Sequence, residues 1–411
     1  MKKLFIPLFM LLAAQHSYAD SKTETIEVDG IERSYLVYTP TKTDNPASRS
    51  ILIFLHGLGG AAEHYARVCN AQVVSDTHNA LLVFPQALPE QNEEIQLAVN
   101  TLKSSFSDDL DFKNSWGAGA RVSVETIKQM AGPMASMLPL LIPNVMERGY
   151  GELNESVDDV KFFNSIIETL QKSETYRAND TVYMAGASMG GAMTYKYAYS
   201  DECRAQKICI LCGFVGGGVD TTQKALKVPA LIFHSKADST VKYAGGLFNG
   251  PVLETIQTIT SQKGCGEGVT TDVPDTKEDG VRLTKTEYNC SEENEVVYYE
   301  SDVISHSMIL VEQVNDIGFI TEMERFFYGS VSLGVDEIGA NTLACYPNPV
   351  EDKLYCPEEG RCEVFDWSGR LLLSDNVERG VVDLSLLPSG SYLFRLTNRE
   401  GEIKHTRFVK K

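Results

Sequence analysis

The stretch TVYMAGASMGGAMTYKYAY, Thr181–Tyr199, decides the fold of this chain. Thr181–Ala185 is an apolar run typical of a buried strand, and Met189–Tyr199 has the composition of a helix. Between them lies the pattern Gly-x-Ser-x-Gly, centred on Ser188. A serine on so tight a turn must adopt strained backbone angles, and flanking glycines remove the clashes of a Cβ atom. We therefore predict that Ser188 is an exposed nucleophile; the alternative is a glycine-rich turn with an incidental serine.

Predicted strands and helices alternate on both sides of this turn. Strands are predicted at Thr25–Val28, Arg33–Tyr38, Ser50–Leu55, Leu81–Phe84, Lys207–Leu211, Ala230–His234, Val281–Tyr288 and Glu295–Glu300, and helices at residues 61–78, 156–172, 246–262 and 308–327. Ser156-x-x-Asp159 is a capping-box variant that would open the second helix. Residues 88–153, approximately, fit no simple strand-helix step. The alternation predicts an α/β fold on a doubly wound, mostly parallel sheet, with ligands at the carboxyl ends of the strands.

A serine nucleophile needs an acid and a histidine, which follow it in that order when the serine lies on a strand-to-helix turn. Asp238 comes just after a predicted strand, and His306 is the histidine that follows both Ser188 and Asp238 in the α/β part of the chain. We predict that His306 takes the Ser188 proton and later protonates the leaving group, while Asp238 holds the imidazole tautomer. Rival acids are Asp220 and Asp302. Alternatively, Asp238 is a helix cap and His306 a surface histidine.

Two backbone N–H groups are expected to stabilise the oxyanion that such a reaction forms. One belongs to Met189, beside the nucleophile, and the other comes from the loop after the strand ending at Leu55, where Leu58 is the best candidate. His56 lies in the same loop, and we interpret it as ordering the loop rather than reacting.

Charge and the N-terminus restrict where the chain works. The formal net charge of the 411 residues is -19, which argues against nucleic acid or an anionic membrane as a partner. Residues 1–19 have a basic start, a short apolar run and small residues at Ser17 and Ala19, so they predict a secretory signal peptide cut before Asp20. The run is too short for a membrane anchor, and no other segment is long and apolar enough to cross a membrane. We predict a secreted protein.

Export permits disulfides, and the odd number of nine cysteines leaves at least one unpaired within the chain. Cys265 and Cys290 are the best candidates for a bridge, and Cys356 and Cys362 are a weaker second pair. Three further cysteines lie near a predicted buried strand and are interpreted as core residues: Cys203, Cys209 and Cys212. Cysteine and histidine show no metal-ligand spacing. The sequence therefore predicts neither a metal nor a cofactor.

Several motifs occur together in one order. They are Phe54–Gly57, Asn114–Gly119, Val157–Val160, Gly186–Gly190 and Val228–Gly246. Together they resemble the extracellular polyhydroxybutyrate depolymerase and feruloyl esterase family, carbohydrate esterase family 1 and its relatives, over roughly residues 25–327. The resemblance implies an α/β-hydrolase with a Ser-Asp-His triad, which matches Ser188, Asp238 and His306. Trp116, within the second motif, is our candidate substrate-binding residue.

Two departures from the family pattern fall where substrate choice would be made. The family often carries Gly-His-x-Trp-Pro around its histidine, whereas this chain has Ser305–Met308. The segment between Trp116 and Val157 is also long, and it contains the apolar stretch Met130–Pro143. This stretch could be a lid or acyl-binding wall, or equally an apolar strap packed on the core.

Four functions are compatible with these residues. The first is a secreted serine esterase acting on acylated plant polysaccharide, such as feruloyl or acetyl esters. The second is a hydrolase of short-chain polyhydroxyalkanoate polyester. A serine peptidase is a third, since the same triad also cleaves amides, and a non-catalytic binding protein is a fourth.

The pattern changes from about Ser332, where short strands and turns follow without a helix. This predicts a small all-β module, most simply a sandwich. Its motifs are Tyr346–Val350, Val364–Arg370, Asp383–Tyr392 and the basic end Lys410-Lys411. They resemble the C-terminal sorting domain of type IX secretion in Bacteroidetes, over about residues 340–411, which implies the type IX secretion machinery as a partner. The alternative is a carbohydrate-binding sandwich. The predicted domains are thus 1–19, 20–331 with an insertion at about 88–153, and 340–411.

Overall fold

The computed structural model of the chain defines most residues after the first twenty. It describes residues 21–41, 48–102, 114–276, 280–290, 295–306, 316–329, 345, 350–365, 371–377, 380–388, 390–398 and 403–410. The predicted signal peptide, residues 1–19, therefore lies outside the described residues, as do residues 307–315 of the last predicted helix. The chain divides into two compact units, Met1–Val331 and Ser332–Lys411. Within the described ranges, no helix has the length and apolar character of a membrane span.

A ten-stranded sheet forms the centre of the first unit. The strands of this unit are β1 (Ser21–Val28), β2 (Ile31–Tyr38), β3 (Arg49–Leu55), β4 (Ala80–Pro85), β5 (Arg121–Ser123), β6 (Tyr150–Glu152), β7 (Ala178–Ala187), β8 (Lys207–Leu211), β9 (Ala230–Ser235), β10 (Val269–Asp272), β11 (Leu283–Tyr288) and β12 (Val296–Ser301). The order is β1-β2-β4-β3-β7-β8-β9-β12-β11-β10, while β5 pairs with β6 separately. Strands from β4 to β12 in this order run parallel, and the outer pairs are antiparallel. The predicted mostly parallel sheet is confirmed.

Helices connect these strands. They are α1 (Ala62–Val68), α2 (Ala71–His78), α3 (Glu93–Leu102), α4 (Val124–Ala131), a 3-10 helix (Gly132–Met137), α5 (Leu138–Leu141), α6 (Pro143–Arg148), α7 (Asp159–Lys172), α8 (Met189–Tyr199), α9 (Val252–Gln262) and α10 (Phe319–Tyr328). The single helix predicted at 61–78 is two helices, because Asn70 adopts a left-handed conformation with φ 49°. Helix α9 begins only after Pro251, since a proline disfavours helical backbone in the residue before it.

The central strands are buried on both faces. In β3, Ile51 and Ile53 pack into the core on one face, whereas Leu52 and Phe54 pack into the core on the other. All four side chains are at most 2 % exposed. The continuous apolar run in the sequence follows from this two-sided burial, because alternate side chains of a strand point to opposite faces.

The strand order creates a switch point between β3 and β7. The chain leaves β3 towards β4 on one side, while β7, β8, β9 and β12 follow on the other side. In such sheets the loops diverge at the carboxyl ends of the two strands at the switch point and leave a crevice between them. Residues that follow β3, β7, β8, β9 and β12 are therefore brought to one edge of the sheet.

The start of α7 differs from the predicted capping box. Asp158, rather than Ser156, caps the helix, since its side chain accepts a hydrogen bond from the Lys161 N–H. Asp159 is buried, and its carboxylate accepts hydrogen bonds from Arg33 Nη2 at 2.7 Å and from the Gly117 N–H at 2.8 Å. The first acidic residue thus caps the helix, and the second ties α7 to β2 and to the loop around Gly117.

Removal of the Asp159 carboxylate should be much more costly than removal of the cap. Asp159→Ala leaves the Arg33 guanidinium buried without its partner, and we expect a loss of about 3 kcal/mol in the free energy of unfolding. Asp158→Ala, the matched control, should cost about 1 kcal/mol, as the loss of an N-cap does. Urea denaturation of both variants measures the difference. Equal losses would show that the buried pair adds nothing beyond a cap.

The long segment before α7 packs one face on the core. Leu138, Ile142 and Val145 are at most 1 % exposed and belong to the main core cluster. Three apolar side chains of the same segment are exposed instead: Met134 at 42 %, Met137 at 49 % and Leu140 at 82 %. The segment therefore has the packed face of a strap and, in addition, an apolar outer face.

The second unit consists of antiparallel strands. These are β13 (Lys353–Tyr355), β14 (Gly360–Phe365), β15 (Leu371–Val377), β16 (Val381–Asp383), β17 (Gly390–Asn398) and β18 (Ile403–Lys410). One sheet has the order β15-β14-β17-β18, and β13 pairs with β16 in another. Leu354 of β13, Val382 of β16 and Phe394 of β17 share one core, so both sheets contribute to it.

The cysteines follow the sequence prediction only in part. Cys265 and Cys290 form the predicted disulfide. The second predicted pair, Cys356 with Cys362, is wrong, because the Cys356 sulfur lies 2.8 Å from that of Cys345, without a bond between them. Cys209 and Cys212 are buried core residues, as predicted, whereas Cys203 is only partly buried.

Candidate active site

Ser188 lies on the turn between β7 and α8 in a strained conformation, with φ 56° and ψ -121°. Its N–H donates to the Leu211 carbonyl at 2.8 Å. A Cβ atom on Gly186 would lie 2.3 Å from the Gly190 oxygen, and one on Gly190 would lie 2.2 Å from the Leu55 oxygen. Since both obstacles are backbone atoms, only glycine fits at positions 186 and 190. The packing of the turn against β3 thus requires the Gly-x-Ser-x-Gly pattern.

Three side chains predicted from the sequence meet beside this turn. His306 Nε2 lies 2.9 Å from Ser188 Oγ, and His306 Nδ1 lies 2.7 Å from Asp238 Oδ2. Ser188 follows β7, Asp238 follows β9, and His306 follows β12, so the sheet brings together groups 118 and 68 residues apart in sequence. With a proton on Nδ1, the histidine donates to the carboxylate and leaves Nε2 to accept the serine proton.

Asp238 is held as a buried anion. Its side chain is inaccessible to solvent, and its Oδ1 accepts hydrogen bonds from the N–H groups of Thr240 and Val241, at 2.9 and 2.8 Å. Burial alone would raise the pKa of this carboxyl, but the His306 hydrogen bond and charge, with the Val241 N–H, outweigh burial and hold the pKa below its ordinary value. The carboxylate is therefore ionised and oriented towards the histidine.

Neither rival acid shares this position. Asp220 accepts hydrogen bonds from Thr222 and the Gln223 N–H on an exposed turn. Asp302 forms an ion pair with Lys236 at 2.9 Å. Both carboxylates thus have local structural partners, whereas Asp238 faces the histidine.

The loop after β3 lies directly against Ser188. A Cβ atom on Gly57 would be 3.3 Å from the Ser188 Cβ, so Leu58 follows a residue in close contact with the serine. The loop is fixed by a hydrogen bond from the Gly59 N–H to the Asn114 oxygen, at 2.7 Å. Met189 is the first residue of α8, where the N–H has no acceptor within the helix. The loop after β3 and the N-terminus of α8 therefore both border the serine.

Trp116 has a different role from the predicted one. Its side chain is fully buried, and its Nε1–H donates to the His56 carbonyl at 2.8 Å. The ring packs against His56 and Phe163, with centroid distances of 5.0 and 5.6 Å. The prediction that Trp116 contacts substrate is wrong, because the indole lies behind the loop that it supports, away from solvent.

His56 is a neutral structural residue, as predicted. It is fully buried, its Nδ1–H donates to the Gly57 carbonyl at 2.7 Å, and its Nε2 accepts from the Ala87 N–H at 3.1 Å. One ring nitrogen donates and the other accepts, so the protein holds a single neutral tautomer. Burial lowers the pKa of His56 to about 4.

This depressed pKa predicts a loss of stability in acid. Below its ordinary pKa of about 6.5, His56 takes up a proton in the unfolded chain, but the folded chain does not bind that proton until about pH 4. Falling pH across this window therefore favours unfolding, by up to about 3 kcal/mol at its lower end. The free energy of unfolding is measured by urea denaturation at a series of pH values from 7 to 4. In His56→Gln this free energy should depend less steeply on pH, by the contribution of one bound proton. An unchanged slope in the variant would contradict the assignment.

A cysteine that the sequence assigned only to the core lies beside the site. The Cys212 sulfur, an Asp238 carboxylate oxygen and a His306 ring nitrogen are all within 4.8 Å of one another. A cysteine, a carboxylate and a histidine are possible metal ligands. In the described residues, however, the carboxylate is hydrogen-bonded to His306, and the other ring nitrogen of His306 is hydrogen-bonded to Ser188. No spacing in the sequence predicts that Cys212 lies beside the site, since Asp238 and His306 follow other strands.

Comparison with known families identifies the C-terminal end of the chain. Residues 344–411 match the family described as secretion system C-terminal sorting domain. The prediction of a sorting domain is thereby confirmed, and the chain is a protein secreted by the type IX system. No curated protein sequence matches the chain.

Three hydrolases are among the solved structures to which the chain is similar. S-formylglutathione hydrolase from Agrobacterium tumefaciens is 12 % identical, with a TM-score of 0.43 over 76 % of this chain and 95 % of that one. Thermogutta terrifontis esterase 2 phosphorylated by paraoxon is 11 % identical, with a TM-score of 0.36 over 75 % and 94 %. A thermostable esterase is 14 % identical, with a TM-score of 0.37 over 59 % and 52 %, so the chain spans about half of that protein's length.

Proposed function

We propose that this chain is a secreted serine carboxylic-ester hydrolase of the α/β-hydrolase type. The observation that carries the proposal is the hydrogen-bonded series from Ser188 through His306 to Asp238, with distances of 2.9 and 2.7 Å. It lies at the carboxyl ends of the parallel strands β7, β9 and β12, next to a switch point, where α/β sheets bind ligands. The confirmed sorting domain supports an extracellular substrate.

The reaction passes through an acyl-enzyme. Ser188 Oγ attacks the ester carbonyl while His306 Nε2 accepts its proton, and Asp238 stabilises the imidazolium that forms. The N–H groups of Leu58 and Met189 bind the developing oxyanion. The imidazolium then protonates the leaving alcohol, and water attacks the acyl-enzyme by the same route. Apart from the substrate and the attacking water, each step uses only groups of this chain and needs no metal or cofactor.

Each domain has a separate role in this proposal. Residues 1–19 direct export, residues 20–331 form the catalytic domain with an insertion at about 88–153, and residues 340–411 form a sandwich that the type IX machinery recognises. The insertion contributes to substrate choice, because it is the part of the catalytic domain that no strand-helix repeat requires.

The substrate is an acyl ester of plant polysaccharide, with feruloyl and acetyl groups as the first choice. The sequence motifs that resemble feruloyl esterases support this choice. The second candidate is a short-chain polyhydroxyalkanoate, favoured by the exposed Met134, Met137 and Leu140, which offer an apolar surface to a polyester.

A substrate panel tests the proposal. Hydrolysis of p-nitrophenyl acetate should persist in the presence of a chelator, which separates a serine hydrolase from a metal-dependent one. Methyl ferulate, acetylated xylan, hydroxybutyrate oligomers and a peptide library are then compared by kcat/KM. We expect the highest value on methyl ferulate or acetylated xylan, whereas a preference for hydroxybutyrate oligomers selects the second candidate. Cleavage of peptides alone would refute the esterase, and failure to cleave any of them would leave a binding protein.

A further inference from the structure

Two cysteine sulfurs of the second unit lie in direct contact. Cys345 Sγ and Cys356 Sγ are 2.8 Å apart, although the residues are 11 positions apart in sequence. A disulfide bond is about 2.0 Å long, so a shift of less than about 1 Å brings the two atoms to bonding distance. Neither sulfur is bonded in this structure.

The surroundings favour this pair over the neighbouring Cys362. Cys356 is fixed by a hydrogen bond from its N–H to the Gly380 carbonyl, at 2.8 Å, and Cys345 is only partly buried. Cys362 is fully buried on β14, where the ladders to Asp375 and Leu396 fix its backbone. An external oxidant can therefore reach Cys345 but not Cys362.

We propose that Cys345 and Cys356 form a disulfide once the chain has left the cytosol. The oxidant is a disulfide-donor protein or oxidised glutathione, since exported proteins meet an oxidising environment. The Cys345 thiolate attacks the donor disulfide to give a mixed disulfide, and one donor sulfur leaves as a thiol. The Cys356 thiolate then attacks the Cys345 sulfur and releases the other donor sulfur, so the donor gains two electrons and two protons. The bond ties the entry of the sorting domain to the end of β13.

Peptide mapping tests this pairing without ambiguity, because trypsin separates the three cysteines. Peptides 326–353, 354–361 and 362–370 carry Cys345, Cys356 and Cys362, respectively. The full chain is equilibrated with oxidised and reduced glutathione, blocked with iodoacetamide and digested without reduction. We expect 326–353 joined to 354–361, two hydrogens lighter than the separate peptides. The linkage should persist in Cys362→Ser. A linkage of 354–361 to 362–370, or alkylation of all three thiols, would overturn the proposal.

A second inference concerns Cys212, which lies between the serine and the acid. It follows β8, the strand between β7 and β9, and its N–H donates to the Phe233 carbonyl at 2.8 Å. Its backbone has φ 44°, a left-handed conformation that is unusual for a residue with a side chain. Its side chain is buried within 4.8 Å of the Asp238 carboxylate. The fold thus keeps a thiol against the acid in spite of an unfavourable backbone conformation.

A protonated thiol offers the nearby carboxylate a weak hydrogen-bond donor and no charge. Burial, together with the nearby Asp238 charge, raises the pKa of Cys212 well above its ordinary value, so it keeps its proton. Among the described residues, the other titratable groups around this pair are His306, His234 and Tyr65. His234 Nε2 lies 3.8 Å from Asp238 Oδ2 and donates to the Val241 carbonyl instead, at 2.8 Å.

We infer that Cys212 is a positioning residue for the proposed esterase: its thiol orients the Asp238 carboxylate and withdraws charge from it. This inference rests on the proposed function. Without the thiol the carboxylate is more basic, so it stabilises the His306 imidazolium more strongly. The acid limb of the pH profile of kcat/KM should then shift to higher pH.

The test compares three variants in which folding is checked by thermal melting. Cys212→Ala should shift the acid limb upward by a few tenths of a pH unit, whereas Cys212→Ser keeps a donor and should leave the limb unshifted or lower. Cys209→Ala is the matched control, since Cys209 is a fully buried cysteine of β8 that lies outside the cluster. A limb that stays in place in Cys212→Ala, or moves equally in Cys209→Ala, refutes the positioning role. Retained activity in Ser188→Ala would instead refute the esterase mechanism itself.

Discussion

Replacement of Ser188 by alanine is expected to lower kcat on p-nitrophenyl acetate by about 10³- to 10⁶-fold. The variant keeps the backbone hydrogen bond to Leu211 and the donors around the oxyanion, but it loses the atom that attacks the carbonyl. Removal of the nucleophile costs most of the triad's contribution, because its members act as a unit. Activity is measured on purified protein after removal of contaminating esterase.

The control for Ser188→Ala is its stability. The melting temperature should stay within a few degrees of the wild type, since the one hydrogen bond of this side chain among the described residues is to the partly exposed His306. Activity above about a tenth of the wild-type value, in a folded variant, would contradict the role of Ser188.

Replacement of Gly190 by alanine should have the largest effect on folding. The new Cβ would lie 2.2 Å from the Leu55 oxygen and 2.6 Å from the His56 oxygen. Both are backbone atoms at the end of a central strand, so α8 must move away from the sheet to make room. We expect a loss of more than about 4 kcal/mol in the free energy of unfolding, enough to abolish soluble expression.

Gly250 provides a matched control for Gly190. A Cβ atom on Gly250 would meet nothing within 4 Å. Gly250→Ala should therefore express and melt like the wild type, with unchanged ester hydrolysis. Soluble yield and thermal melting of both variants measure the difference. If Gly190→Ala melted at the wild-type temperature, the close packing of the turn against β3 would be wrong.

The sequence predicted the elements around Ser188 well, because their signals are local. The strand before the serine is apolar on both faces, and helix α8 begins at Met189 in prediction and structure alike. Chain order indicated His306, and the position of Asp238 just after a predicted strand favoured it over Asp220 and Asp302, since parallel strands deliver their following residues to one edge of the sheet.

Other features could not be predicted, because they depend on contacts between distant segments. Arg33 and Asp159 are 126 residues apart, and a sequence pattern cannot tell whether Asp158 or Asp159 caps the helix. The burial of Trp116 depends on the contacts of its ring with His56 and Phe163, which come from other segments of the chain. The Cys356 sulfur contacts that of Cys345 rather than that of Cys362, which is closer in sequence, and no sequence pattern reports this contact.

Labelling with a fluorophosphonate tests the proposed nucleophile most directly. The reagent bonds covalently to a serine that a histidine activates, and the tryptic peptide 178–196 contains Ser188. We predict one adduct per chain, located on Ser188 by fragmentation of that peptide, with loss of ester hydrolysis in proportion to labelling and no adduct in Ser188→Ala. An adduct on a different side chain, or full hydrolysis by completely labelled protein, would contradict the mechanism.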